Sequence, residues 1–208
     1  MNAAQHILVY SDSLMWGIVP GTRRRLPFDS RWPGVMHNGL NVGGARIRVT
    51  EDCLNGRRTV FDDPYKPGRN ALAGIQNVIE AQSPLDFVIL MLGTNDFQLM
   101  QSHTPWHSAT GLAAVVNAVR TAPIEPGMSV PPILLVAPPQ IDDPRAPLAR
   151  NSRGEIPLRA VSQRQSGRLV RTQGVRSSTR TPLRLAALSM EFTSMLTSTR
   201  SWAVRSHS

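Results

Sequence analysis

The sequence predicts an α/β protein in which helices cover both faces of a parallel sheet, giving three layers, α/β/α. The 208 residues are enough for one such domain with a substantial core. Short apolar runs alternate with segments of helical periodicity in the order β, α, β, α, β, α, β. Polar turn residues follow the apolar runs. This alternation is typical of a sheet built from strand–helix–strand units.

Three continuous apolar runs are predicted as strands, because parallel strands are buried on both faces and lack a polar alternation. They cover residues 7–10, 87–92 and 133–137, and residues 47–50 are predicted as a further strand, the second along the chain. Between them, apolar side chains recur at helical spacing over residues 31–40, 70–81 and 108–121. In the second helix, the apolar stripe predicted to face the core comprises Leu72, Ile75, Val78 and Ile79.

Three candidate site positions follow the first three predicted strands. Ser13 lies just beyond the first strand, Gly56 follows the second, and Asn95 follows the third. Functional groups of parallel sheets collect in the loops beyond the carboxyl ends of the strands. The sequence therefore predicts that these three positions meet at one edge of the sheet.

The composition changes near residue 149. Residues 1–148 contain 12 Arg and Lys against 12 Asp and Glu, whereas residues 149–208 contain 11 Arg and 2 Glu and carry the whole net charge of +9. The second segment also contains 11 Ser and 6 Thr, so it can bury little apolar surface to offset the entropy of ordering. We expect residues 1–148 to form the domain and 149–208 to be an irregular, incomplete and poorly ordered tail. Within that tail only residues 183–188 resemble a strand, weakly.

The remaining composition indicates a cytoplasmic protein. Cys53 is the single cysteine, so no disulfide within the chain is expected, and a small buried side chain is its simplest interpretation. The chain enters a predicted strand without a cationic leader segment or a cleavage site. No apolar stretch approaches the ~20 residues of a membrane span.

Three motifs resemble the sequence blocks of the GDSL esterase–lipase family, also called SGNH hydrolases. Tyr10-Ser-Asp-Ser-Leu14 resembles the first block, Leu54-Asn-Gly-Arg57 the second in its arylesterase and acyltransferase branch, and Leu92-Gly-Thr-Asn-Asp96 the third. The resemblance extends from about residue 5 to residue 148. It implies a flavodoxin-like parallel sheet and the hydrolysis of esters.

The resemblance also implies a role for each motif residue. Ser13 corresponds to the nucleophile. The backbone N–H groups of Ser13 and Gly56 and the side chain of Asn95 correspond to the oxyanion hole. Asp12, Trp16 and Asp96 are supporting residues. A small-molecule ester would be the substrate, and neither a metal ion nor an organic cofactor is implied.

Each of these residues has a structural alternative. Ser13 could cap a helix, Gly56 could be an ordinary turn glycine, and Asn95 could cap the helix that follows it. Asp12 is better read as a hydrogen-bonding residue of the turn than as the acid of a triad. Trp16 could line an acyl pocket or belong to the core.

Two departures from the family pattern affect the expected chemistry. Ser11 replaces the first-block glycine, which is tolerable if its φ is negative. The last block of the family is Asp-x-x-His, which supplies the base of the triad and the carboxylate that orients it. The chain has no Asp after Asp143, and His207 is its only late histidine, so no triad Asp or His is identified.

A one-base frameshift near codon 149 is our hypothesis for this loss. If residues 189–193 are encoded as TCG ATG GAG TTC ACC, the phase beginning one base before the Met codon reads Asp-Gly-Val-His. The same phase converts residues 149–156, written C CGA AAT TCG CGG GGC GAG ATT, into Pro-Lys-Phe-Ala-Gly-Arg-Asp. Both readings resemble the family, although the codons are chosen and not observed.

The sequence thus predicts a serine esterase for short-chain or aryl esters that acts through an acyl-Ser13 intermediate and is impaired in this form. One alternative is a catalytically inactive remnant of the family. Another is a protein that binds polyanions through the basic tail, which lacks the interleaved aromatics of a specific nucleic-acid site. No membrane partner is expected, and a homo-oligomer is left open.

Overall fold

The computed structural model describes residues 5–98 and 103–138. In this part of the chain four strands form one sheet in the order β2-β1-β3-β4, and every neighbouring pair is parallel. This arrangement confirms the predicted parallel α/β sheet, and its strand order is that of flavodoxin-like folds. The strands are β1 Gln5–Ser11, β2 Ile47–Cys53, β3 Phe87–Met91 and β4 Ile133–Leu135.

Three of the described helices match the predicted ones. They are α2 Trp32–Asn41, α3 Ala71–Gln82 and α4 Pro105–Arg120. Helix α4 begins earlier than predicted, because Thr104 caps it and Pro105 occupies its first turn, where a missing N–H costs nothing.

Three shorter elements were not predicted, because they span too few residues to show a period. They are α1 Ser13–Trp16 and the 3₁₀ turns Phe28–Ser30 and Thr94–Phe97. Two of these short elements follow directly after strands and carry candidate site residues.

The main core lies between the sheet and the pair α3–α4. Alternate residues of β1 and β3 point to this side, and they pack with Ile75, Ile79 and Val115 of the helices. Each such side chain stabilises the fold by roughly 1.5–3 kcal/mol through burial. Leu72 was predicted in the same stripe but is 37% exposed, so the buried stripe of α3 is narrower at its start than predicted.

Helices α1 and α2 belong to the opposite layer. Helix α2 packs against β2 and α1, whereas α3 packs against α4. The chain crosses from β1 to β2 in one direction and from β2 to β3 in the other, and right-handed crossovers then place α2 and α3 on opposite faces. Three layers result, as the sequence predicts.

The Arg/Ser-rich segment 149–208 and its weak strand candidate at 183–188 lie outside the described residues. Among residues 5–98 and 103–138, no helix is long and apolar enough to cross a membrane.

Candidate active site

Ser13 is the first residue of α1 and lies immediately beyond the carboxyl end of β1. Asp12 caps this short helix: its backbone is extended, and its Oδ1 accepts a hydrogen bond of 2.9 Å from the N–H of Leu14. The capping role that Ser13 could have filled therefore belongs to Asp12. Ser13 is partly exposed, and its hydroxyl makes no hydrogen bond to another residue within the described ranges.

Gly56 lies in a tight turn after β2. The N–H of Arg57 donates to the carbonyl of Leu54 at 3.0 Å, and Gly56 has a φ of +82°, which a residue with a side chain adopts only with strain. A Cβ placed on Gly56 would meet nothing within 4 Å. Gly56 is thus a turn glycine that borders open space, and its role as an oxyanion donor stays a prediction.

Asn95 connects the three motif loops. It lies in the 3₁₀ turn after β3 and is only 4% exposed. Its Nδ2 donates to Asp12 Oδ2 at 3.2 Å and to the carbonyl of Arg57 at 3.0 Å. The structure therefore brings the first, second and third motifs together through one side chain. Asn95 does not cap the helix that follows, because α4 is capped by Thr104.

Asp12 is fully buried beside this junction. Burial is the main reason why the pKa of its carboxyl group is raised, to about 7 in total. The nearby Asp96 contributes to the rise, whereas the N–H of Leu14 and the charge of Arg57 oppose it. Asp12 hydrogen-bonds within the turn and also accepts from Asn95, and its place as a supporting residue of catalysis stays a prediction.

Asp96 fastens the third motif to two other segments. Its Oδ1 accepts from the N–H of Thr59 at 2.9 Å, and its Oδ2 accepts from the hydroxyls of Thr59 at 2.8 Å and Ser108 at 2.6 Å. All three residues are buried. Asp96 thus joins the segment after the second motif to α4 and holds the loop that carries Asn95.

Arg57 ties the ends of β1 and β2 together. Its guanidinium donates to the carbonyl of Ser11 at 3.0 Å, pairs with Asp52, and lies 3.8 Å from the centre of the Tyr10 ring. Sequence reasoning missed this contribution because a single Arg in a motif is normally expected on the surface. The tight Asn55-Gly56 turn directly before Arg57 was the one available signal.

Arg58 is also buried, with no exposed side-chain surface. It donates to the carbonyl of Asp62 at 2.8 Å, to Asp63 Oδ2 at 3.2 Å and to Gln98 Oε1 at 2.8 Å. Gln98 in turn donates from Nε2 to Asn95 Oδ1 at 3.2 Å. No local sequence pattern pointed to Arg58 or Gln98, because their contact joins residues 40 positions apart.

Three further predicted positions have clear surroundings. Trp16 is half-buried, and the Arg25 guanidinium lies 4.9 Å from the centre of its ring. Cys53 is partly buried, and burial raises the pKa of its thiol to about 12. Ser11 has a negative φ, as the departure from the family glycine requires, since Arg23 is the one described non-glycine residue with positive φ.

The described histidines make their hydrogen bonds and ring contacts with residues other than Ser13. His6 bonds Thr50 at 2.8 Å in the first half of β1, and the ring of His103 stacks on Phe61 at 3.7 Å. None of the four imidazoles in the described ranges hydrogen-bonds to Ser13; they belong to His6, His37, His103 and His107. His207 lies outside the described residues.

Metal binding finds no support in the same part of the chain. Residues 5–98 and 103–138 contain no group of three or more His, Cys, Asp or Glu side chains that could hold an ion.

Comparison with solved structures finds bacterial esterases. The native aryl esterase of M. smegmatis is 34% identical over 72% of this chain and 73% of its own, with a TM-score of 0.65. Its inhibitor-bound form is 36% identical over 65% of each chain, with a TM-score of 0.62. A carbohydrate acetylesterase from Sinorhizobium meliloti is 33% identical over 67% of this chain and 68% of its own, with a TM-score of 0.61. No family model and no curated protein matches the chain.

Proposed function

This chain belongs to the GDSL/SGNH hydrolase family, and on that premise we propose that it is a serine esterase whose nucleophile is Ser13. The observation that carries the proposal is the junction at Asn95, whose amide joins the loop of Ser13 to the other two motif loops. The similar solved structures are an aryl esterase and a carbohydrate acetylesterase. We therefore take short-chain or aryl carboxylic esters as the substrate class.

In the proposed reaction, Ser13 Oγ attacks the ester carbonyl carbon and forms a tetrahedral oxyanion. Collapse of this intermediate expels the alcohol and leaves an acyl-Ser13 ester, which water then hydrolyses. The oxyanion would be bound by the N–H groups of Ser13 and Gly56 and by Asn95. Loss of one such donor typically costs ~2.7–4 kcal/mol of transition-state stabilisation.

Asn95 cannot serve as a free donor in the described arrangement. Its Nδ2 has two hydrogens, and these face Asp12 and the carbonyl of Arg57. An oxyanion must therefore share one of these N–H groups or displace Asp12 from it. The proposed mechanism includes this exchange.

We further propose that the reaction is impaired in this chain. A serine hydroxyl is a poor nucleophile unless a base accepts its proton. The sequence lacks the Asp-x-x-His block, and no described imidazole bonds to Ser13. Without the base, only binding and the oxyanion donors remain, which is worth ~10³–10⁴ over the reaction in water. An inactive remnant of the family is the limiting case of this proposal.

The nucleophile is tested by incubating the chain with p-nitrophenyl acetate and locating the acetyl group by mass spectrometry. We expect slow release of p-nitrophenol and acetylation of the peptide that contains Ser13. Ser13→Ala should abolish both, whereas Ser30→Ala, which removes an exposed hydroxyl from a 3₁₀ turn, should leave them unchanged.

Two results would contradict the proposal in different ways. Equal turnover by the parent chain and Ser13→Ala would exclude Ser13 as the nucleophile. Turnover by the parent at the ~10 s⁻¹ of an ordinary enzyme would refute the impairment.

A further inference from the structure

We propose that Gln98 is a positioning residue that sets the direction of the Asn95 side-chain amide. The inference rests on the proposed function, in which Asn95 presents N–H groups at the oxyanion hole. It concerns a residue outside the three motifs. A series of hydrogen bonds leads from the buried guanidinium of Arg58 through Gln98 to Asn95.

The direction is set first at Arg58. A guanidinium donates hydrogen bonds and cannot accept them, so the atom of Gln98 that faces Arg58 must be its oxygen. Arg58 is held in place, because it is fully buried and its two terminal nitrogens also donate to the carbonyl of Asp62 and to Asp63, although its Nε has no partner among the described residues. The opposite end of the Gln98 amide is therefore its NH₂ group.

That NH₂ group faces Asn95. Gln98 Nε2 donates to Asn95 Oδ1 at 3.2 Å, so the NH₂ group of Asn95 must point the other way. There it meets the carbonyl of Arg57 and the carboxylate of Asp12. A backbone carbonyl only accepts, so both ends of the chain of hydrogen bonds require the same direction.

The direction matters because an amide is nearly symmetric in shape, and packing alone distinguishes its oxygen from its nitrogen poorly. A reversed Asn95 would place Oδ1 against two other oxygens and would offer an oxyanion no N–H. Gln98 is half-exposed, whereas Arg58 and Asn95, which it joins, are buried. Gln98 can therefore be substituted with less disturbance of the core than either of its partners.

The decisive variant is Gln98→Glu. A carboxylate accepts from Arg58 but cannot donate to Asn95, so the Asn95 amide should turn and direct its NH₂ group at residue 98. Asn95 Oδ1 would then face Asp12, which must keep its proton to donate to it. We expect the pKa of Asp12, followed by ¹³C NMR of its carboxyl group, to rise by about 1. Burial, the N–H groups of Leu14 and Asp12, and the charges of Asp96 and Arg57 otherwise act on this pKa and are unchanged in the variant. The negative charge introduced at position 98 adds to the rise, whereas Gln98→Met adds no charge and tests the hydrogen bonds without this effect.

Gln5→Glu is the charge-matched control. It adds the same charge at the exposed amino end of β1 and should leave the pKa of Asp12 at its parent value. Equal Asp12 pKa values in Gln98→Glu, Gln5→Glu and the parent would overturn the proposal.

Gln98→Met removes both hydrogen bonds and keeps the length of the side chain, so ¹⁵N relaxation should show a more mobile Asn95 amide. If the Asn95 amide is as rigid in Gln98→Met as in the parent, the proposal is also overturned. This measurement decides the matter if Gln98→Glu does not fold.

A binding measurement separates this inference from the proposed function. Phenylboronic acid forms a tetrahedral adduct with a nucleophilic serine and places an oxygen in the oxyanion hole. Gln98→Glu should weaken its binding at least tenfold relative to the parent, since the reversed amide withdraws a donor. Loss of binding in Ser13→Ala supports Ser13 as the nucleophile. A parent chain that does not bind the boronate contradicts the proposed function, while the NMR result still decides the role of Gln98.

Discussion

At the residue scale, each oxygen of the Asp12 carboxyl group has a different partner. One oxygen caps α1 and so positions Ser13, and the other accepts from Asn95. The carboxyl group is fully buried and has no cation in direct hydrogen-bond contact, since Arg57 pairs with Asp52 instead. Desolvation therefore dominates and favours the protonated form.

This environment predicts a pH dependence of stability. The pKa of Asp12 is about 7 in the folded chain against an ordinary 3.8, so the folded state holds the proton more tightly. The contribution of Asp12 to the free energy of unfolding is then complete below about pH 4 and is lost as the pH rises through about 7. Urea unfolding between pH 5 and pH 8 should show a decline from Asp12 on the order of 2–4 kcal/mol, and Asp12→Asn should flatten it. Identical slopes in the two proteins would contradict the prediction.

At the element scale, two glycines have open space around them but different backbone conformations. Gly56 has positive φ in the turn that follows β2, whereas Gly39 lies on the exposed side of α2 with ordinary helical backbone. A Cβ at either position meets no atom within 4 Å. Backbone conformation alone therefore decides the effect of an added methyl group at each site.

We expect Gly56→Ala to lower the free energy of unfolding by ~1–2 kcal/mol, because alanine must adopt a left-handed conformation. Gly39→Ala should raise it by ~0.5–1 kcal/mol, because alanine restricts the unfolded chain and favours the helix. Urea titration of the two variants beside the parent measures both changes. A stabilising Gly56→Ala would show that the turn after β2 does not require glycine.

At the scale of the whole molecule, the described sheet and helices account for the near-neutral part of the chain. The predicted boundary at residue 149 and the frameshift hypothesis concern residues outside those described, and both stay predictions. They nevertheless determine the expected activity, because the proposed nucleophile and oxyanion donors would act without a base.

The frameshift hypothesis predicts a gain of activity. Restoring the second reading phase from codon 149 should supply Asp-Gly-Val-His and raise turnover of p-nitrophenyl acetate by ~10³-fold or more over the 208-residue chain. Replacing the restored His by Ala in that protein is the control and should remove the gain. A restored protein that folds and shows no gain, or a gene whose bases cannot encode that reading, would refute the hypothesis.

The sequence by itself determined the order of strands and helices and the three motif positions, Ser13, Gly56 and Asn95. Continuous apolar runs, helical spacing and glycine turns are local patterns, and each reports burial or backbone conformation directly. Element ends were less well predicted where capping decided them, as at Thr104. Helix α1 has four residues, which is too short for its apolar side chains to show a helical periodicity.

Only the tertiary structure decided how these loops meet. The strand order places the ends of β1, β2 and β3 side by side, so that Asp12 and Asn95 bond across 83 positions of sequence. The burial of Arg58 and its contact with Gln98 arise in the same way. Such contacts depend on the packing of distant segments, and the hydrogen-bonding direction of an amide depends on its neighbours in space, which no local pattern of residues encodes.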